Sequence, residues 1–242
     1  MSGRIDLHCH LLPDLDDGPA DDGDALALAW ALVDDGVTTV AATPHRTARF
    51  KIPVLELRQR HAALVSMLAH HEVPLEVLLG SEVAVDALLD MDGTEIEALR
   101  IGETGPLLVE LPQREGFGDP TWPVHEVLDS GVPVLLAHPE RIPLLQADLA
   151  PLRALVERGA HAQVTSGAVI GRYGRTAQSV AMDMLAAGLI DVIASDAHHH
   201  ERRPPETGTA LEWLRTNRPE VDGDGLAVHT PRVLIPPRAP VS

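Results

Sequence analysis

Seven times along this chain a short apolar, β-branched run gives way to a longer helical pattern, and six of the seven runs lead to a histidine or an acid. Residues 5–10 form the first run, and a helix from about 24 to 35 follows, with Leu26, Ala29, Trp30 and Val33 on one face. Gly36 stops that helix, and residues 37–43 read as a buried strand running into Pro44 and His45. Val54, Leu57, His61, Leu64 and Leu68 make the next helical stripe, on which His61 is a packing residue, before a strand at 75–79 leads to Glu82. A strand at 106–111 carries Glu110, a helix near 123–130 follows, and a strand at 132–137 delivers His138. Residues 148–158 are helical with Asp148 as cap, 162–165 form a short strand, and 175–187 are helical. The strand at 189–194 ends at Asp196, and a last helix lies near 206–216.

Strands that alternate with helices build a parallel sheet, and active sites on such sheets gather outside the strands' carboxyl ends. The simplest architecture is a closed or nearly closed seven-stranded α/β barrel. At 242 residues and 45% hydrophobic content the chain fills one core, so residues 1–230 are expected as a single domain and the Pro-rich stretch 231–242 as a surface tail. No apolar run approaches the roughly 18 residues of a membrane span, and the N-terminus shows no basic segment followed by an apolar one. A soluble, cytoplasmic protein is the expectation.

The formal charge of −17 argues against nucleic acid as a partner, because such binding relies on Lys and Arg replacing condensed counterions. Asp14, Asp16, Asp21, Asp22 and Asp24 read as a solvated acidic loop, and Asp17 alone is set apart as a ligand. Cys9 is the sole cysteine, which excludes an internal disulfide and a Cys-rich zinc module. A thiolate phosphatase needs Arg six positions after its Cys, and Leu15 stands there. Strand alternation turns Cys9 into the core, away from the face of His8 and His10.

His8 and His10 are two apart on a strand, project from the same side and can bind one ion or adjacent ions. An HxH pair alone is more often packing or chance. Asp196 and His198 repeat the spacing at the far end of the fold, which makes accident much less plausible. His45 and His138 each follow a strand and lie beside proline, an unusual place for a core histidine. Glu82 and Glu110 interrupt apolar runs, where an unpaired carboxylate would cost several kcal/mol. With Asp17 these are nine candidate ligands; imidazole and carboxylate together suit first-row divalent ions, and several bridged ions make water a nucleophile at neutral pH.

Arg141 follows the His138 segment and could grip phosphate oxygens in a forked geometry; Arg203, five residues past His198, is a second candidate. His199 and His200 read as solvent-exposed loop residues, one of which could serve a leaving group. Residues 165–167 (TSG) and 171–174 (GRYG) either offer backbone amides to an anion or form a tight turn.

These stretches, DLHCHLLPDLDDG, ATPHR, GSEV, LVELP, AHPER, QVTSGAVIGRYG and ASDAHHHERRP, resemble the polymerase and histidinol phosphatase (PHP) superfamily over residues 6–205. Within it they look most like the bacterial CpsB/CapC/YwqE-type protein-tyrosine phosphatases. The resemblance implies a distorted (β/α)7 barrel holding three divalent ions, manganese first and iron or zinc as alternatives. It also implies that Arg141 and Arg203 bind phosphate, and that the substrate is a phosphotyrosine protein, the tail of a bacterial tyrosine kinase controlling capsule or exopolysaccharide synthesis. The chain departs from the family in its 2% aromatic content and in LPQREGFG, which stands where a longer, more aromatic segment is usual. Two alternatives stay open: histidinol phosphatase or another PHP phosphoesterase, and a non-catalytic metal-stabilised scaffold that binds a phosphorylated partner.

Overall fold

The computed structural model describes residues 3–114 and 118–236. Its strands are β1 (Arg4–Cys9), β2 (Val37–Ala42), β3 (His45–Arg46), β4 (Glu76–Leu79), β5 (Glu82–Ala84), β6 (Leu107–Glu110), β7 (Val134–Ala137), β8 (His161–Thr165) and β9 (Val192–Ala194). All strand pairs are parallel, in one sheet of order β1-β2-β4 and another of order β3-β5-β6-β7-β8-β9. The two sheets are parts of one wall. β2 breaks at Thr43-Pro44 and resumes as β3, while β4 breaks at Gly80-Ser81 and resumes as β5; Gly80 N donates to Ala42 O and Glu82 N to Pro44 O across the break. At the other seam Asp196 N donates to His8 O (2.8 Å) and His10 N to Ala197 O (2.9 Å), and Cys9 bridges Ala197. These bonds complete a ring of seven strand positions, as the alternation of runs predicts.

Two apolar clusters follow from the ring. Ile5, Leu7, Ala41, Leu108, Leu135, Ala137 and Val192 come from alternate positions of the strands, and they fill its inside with Ile101. Each fully buried leucine there contributes about 2 kcal/mol by leaving water. The larger cluster lies between the wall and the helices, and Leu28, Leu32, Leu57, Leu64 and Leu68 belong to it.

Two expectations are corrected. The first helix runs Asp22–Asp34, capped by Asp21, and buries Ala25, Leu28, Ala29 and Leu32, leaving Trp30 40% exposed. The stripe with both leucines takes the core side; Leu26 and Val33 flank it half-buried. Residues 231–236 are no detached tail: a short helix Thr230–Leu234 buries Pro231, Leu234 and Ile235 close the inner cluster, and Thr104 donates to Pro236 O. Residues 237–242 of that stretch lie outside the described residues. Short helices at Val85–Leu88, Gly93–Ala98, Pro143–Ala147 and Ser166–Val169 also appear, each too brief to leave a periodic signal.

Candidate metal centre

Ile5 and Leu7 point into the ring, so strict alternation would send His8 and His10 outward. A register shift prevents this. Asp6 pairs with Val40 and Cys9 with Ala42, three residues against two, and the extra residue turns both histidines to the mouth and Cys9 to the outer core. Asp6, which carries no spacing signal in the sequence, pins the irregularity: its Oδ1 accepts from His8 N (3.2 Å) and Ser195 N (3.1 Å). Burial pushes its pKa up to about 6 against those bonds.

Glu82 lies at the centre of what gathers there. Its Oε2 is 3.4 Å from His8 Nε2, 3.3 Å from His10 Nε2 and 2.8 Å from His45 Nδ1, and its Oε1 is 2.9 Å from His138 Nε2. Asp196 Oδ1 is 3.3 Å from His8 Nε2, Asp17 Oδ1 lies 3.4 Å from His45 Nε2 and 3.3 Å from His198 Nε2, and Glu110 Oε1 is 3.7 Å from His138 Nε2. All nine candidate ligands therefore meet at one mouth, in four overlapping groups whose ligand atoms lie within 4.8 Å of one another. His45 and Glu82 are expected just past strand ends; instead they open the second strand pieces β3 and β5, paired side by side. His138 (φ 32°) and Asp196 (φ 52°) adopt left-handed backbone at the ends of β7 and β9, a strain on the order of 1–3 kcal/mol each that aims both side chains inward.

A second layer orients the imidazoles. His8 Nδ1 donates to Gln163 Oε1 (3.1 Å), His10 Nδ1 to Asp16 Oδ2 (2.7 Å) and His198 Nδ1 to Asp196 O (3.0 Å), which leaves Nε2 of each facing the centre. Asp16 also accepts from His45 N and Gly18 N. It is a buried positioning group and not part of a solvated loop, a role its place in an acidic run concealed.

Burial and neighbouring charge pull the titration of these groups in opposite directions. Burial opposes charge on His10, yet Asp16 and Glu82 raise its pKa to about 9. Against the same burial, Asp17 and Glu82 lift His45 to about 11. Burial, helped by His10 and Arg203, lowers His198 to about 4 despite Asp17. Glu82 is buried, but His8, His10, His138 and His45 hold it well below the carboxylate range; His198 and His45 do the same for Asp17. Even so, the close contacts of Glu82 Oε2 and Asp196 Oδ1 with imidazole nitrogens lack hydrogen-bond alignment, and His138 Nδ1 is buried with no partner. Each such orphan costs roughly 1–3 kcal/mol, and a cluster of them among imidazoles and carboxylates fits divalent ions.

Both arginines converge beside this cluster. Arg141 Nη1 donates to Asp196 Oδ2 (2.7 Å), and Arg203 Nη2 bonds the same oxygen. Tyr173 supports the pair: its ring lies under the Arg141 guanidinium at 4.8 Å, and its hydroxyl accepts from Arg203 Nε at 3.2 Å. Gly167 makes room for that ring, since a Cβ there would stand 3.0 Å from Tyr173 Cε2. The stretch 165–174 forms a tight turn in which Ile170, Gly171, Arg172 and Gly174 donate their N–H groups to carbonyls of the same stretch. His199 and His200 are half-buried, stacked 4.4 Å apart, and His199 Nδ1 accepts from Glu201 N and Arg202 N. His61 packs, bonded to Val77 O.

Comparison with known proteins agrees with this geometry. The chain is 32% identical over 211 residues to the tyrosine-protein phosphatase YwqE of Bacillus subtilis, covering 87% of this chain and 83% of that one. It is 26% identical over 239 residues to the tyrosine-protein phosphatase CpsB of Streptococcus pneumoniae, covering 96% and 98%. A crystal structure from work on YwqE and CpsB as unique metal-dependent tyrosine phosphatases matches with a TM-score of 0.86 and 29% identity, over 96% of this chain and 94% of that one. The Escherichia coli phosphotriesterase homology protein, at 14% identity and a TM-score of 0.63, shares the fold. The profile of the CpsB/CapC family, described as capsular polysaccharide synthesis, matches residues 4–235, and the chain belongs to that family.

Proposed function

We propose that this chain is a metal-dependent phosphomonoester hydrolase that dephosphorylates tyrosine in a protein, the tail of a bacterial tyrosine kinase in capsule or exopolysaccharide regulation. The observation that carries the reading is the convergence of nine imidazole and carboxylate side chains with two arginines on one mouth. His8, His10, Asp17, His45, Glu82, Glu110, His138, Asp196 and His198 would hold three divalent ions, manganese first, with iron or zinc equally compatible with these donors. Bound there, such ions supply Lewis acidity, lowering the pKa of water to about 7 and neutralising phosphoryl oxygens.

The chain's own groups do the rest. Gln163, Asp16 and the Asp196 carbonyl keep Nε2 of His8, His10 and His198 turned to the centre. Arg141 and Arg203 offer forked donors to the phosphoryl oxygens from one side, held in place by Tyr173. A phenol, with pKa near 10, leaves more readily than an alkyl alcohol and demands less of a general acid. The named tyrosine-protein phosphatases among the relatives favour this substrate over histidinol phosphate or a phosphodiester.

The test is to strip the protein of metal, restore Mn²⁺, and compare a phosphotyrosine peptide with histidinol phosphate, single-stranded DNA and p-nitrophenyl phosphate. Metal-restored turnover is expected, with the peptide preferred over histidinol phosphate and DNA. DNA as the better substrate would reject the reading, and no restored turnover of any substrate would favour a scaffold.

A further inference from the structure

We propose that the cleft beside Glu110 receives the residues flanking the target tyrosine and is built for an acidic segment; this rests on the phosphotyrosine reading above. The cleft has a volume of about 630 Å³ and is lined by Arg49, Phe50, Val85, Leu111, Pro112 and Arg114. Its size is in the range of organic ligand sites, roughly 300–1,000 Å³, and much larger than a phosphate requires. It is continuous with the metal mouth. Glu110 belongs to both, and the Phe50 ring stacks on His45 with centroids 5.9 Å apart and planes 12° from parallel.

Charge selects the occupant. Asp and Glu number 36 in this chain against 19 Lys and Arg, so its arginines readily find partners. Arg46 pairs with Glu95 at 2.6 Å, and Arg141 and Arg203 pair with Asp196. Among the described residues Arg49 and Arg114 have no carboxylate within ion-pair distance; Arg49 instead lies 4.9 Å from the Phe50 ring centroid. Among the described residues Asp86 is the one acid in the lining besides Glu110, so two cations there face a single described acid outside the metal cluster, on a molecule whose net charge repels acidic peptides elsewhere. A phosphotyrosine in the mouth would bring its neighbouring residues over Phe50 and Pro112, with their carboxylates against Arg49 and Arg114.

Two phosphotyrosine peptides that differ only in Glu or Gln beside the tyrosine test this, assayed with the Mn²⁺-restored protein and with Arg49→Glu and Arg114→Glu. The wild type is expected to favour the Glu peptide in kcat/KM by about three- to tenfold at low salt, less at high salt, as partly exposed ion pairs allow. Either charge reversal should abolish or invert the ratio. Equal kcat/KM for the two peptides in the wild type, or a preference unchanged in both variants, overturns the inference about the cleft while leaving the phosphotyrosine reading intact. Turnover of p-nitrophenyl phosphate with neither peptide hydrolysed rejects both. If the variants do not fold, the wild-type ratio and its salt dependence still decide.

Discussion

Tyr173 joins the two arginines through different parts of one side chain, its face under Arg141 and its oxygen on Arg203. Tyr173→Phe removes only the oxygen, and Tyr173→Leu removes both. For p-nitrophenyl phosphate, Phe is expected to raise KM severalfold with kcat less affected, and Leu to lower kcat/KM by roughly ten- to a hundredfold, about 1–3 kcal/mol. Wild-type kinetics in the Phe variant would show the hydroxyl idle, and equal losses in both would show the ring idle. Neither role is visible in the sequence, where Tyr173 lies among glycines that read as a turn or as amides for an anion. Asp16 and Gln163 were hidden for a similar reason: a residue that acts by aiming another side chain carries no spacing signature of its own.

The loop after β1 shows how a short element can be as exacting as a strand. Asp16 and Asp17 are adjacent yet face different partners, the first on His10 Nδ1 and the second toward His45 and His198. Gly18 permits this fold-back, since a Cβ there would stand 2.7 Å from His10 O and 3.0 Å from Asp16 Oδ1. Gly18→Ala is therefore expected to weaken metal retention by at least tenfold while the far-ultraviolet circular dichroism stays native, checked by elemental analysis after dialysis against a chelator gradient. Native metal content would refute the idea. The strand irregularity between Asp6 and Cys9 and the breaks in β2 and β4 belong to the same class. They aim the candidate ligands at the cost of regular pairing; residue order ends the strands at 43 and 79, ahead of His45 and Glu82, and does not show the second pieces that these two residues open.

For the whole molecule, the ring of strands puts candidate ligands almost two hundred residues apart onto one mouth, so metal binding there would be linked to folding. Metal at about 100 times its dissociation constant should stabilise the fold by about 2.7 kcal/mol, or roughly 5–10 °C in Tm. The pH dependence of the stripped protein has a definite sign. His10 and His45 have folded pKa values of about 9 and about 11 against 6.5 for ordinary histidine, so their stabilisation is full below pH 6.5 and is lost as pH rises through 9 to 11. Asp16, at about 2, contributes in the opposite direction, with stability lost only as pH falls through that value. Stripped protein should then lose Tm progressively from about pH 6.5 upward while loaded protein does not, because ions have replaced the protons. Thermal melts of both forms from pH 7 to pH 10 check this; parallel curves would refute it.

From residue order alone came the alternation of strand and helix, the sevenfold count and nine candidate ligand positions that the structure brings together, because periodicity is local and because a histidine or acid inside an apolar run stands out against its neighbours. Tertiary structure alone decided which way those side chains face, which carboxylate aims and which gathers, and where the chain's last described residues pack. Those outcomes depend on strand register and on contacts between segments distant in sequence, as when Asp6 meets Ser195 or Gln163 meets His8. Such contacts acquire their energy only once the ring has closed.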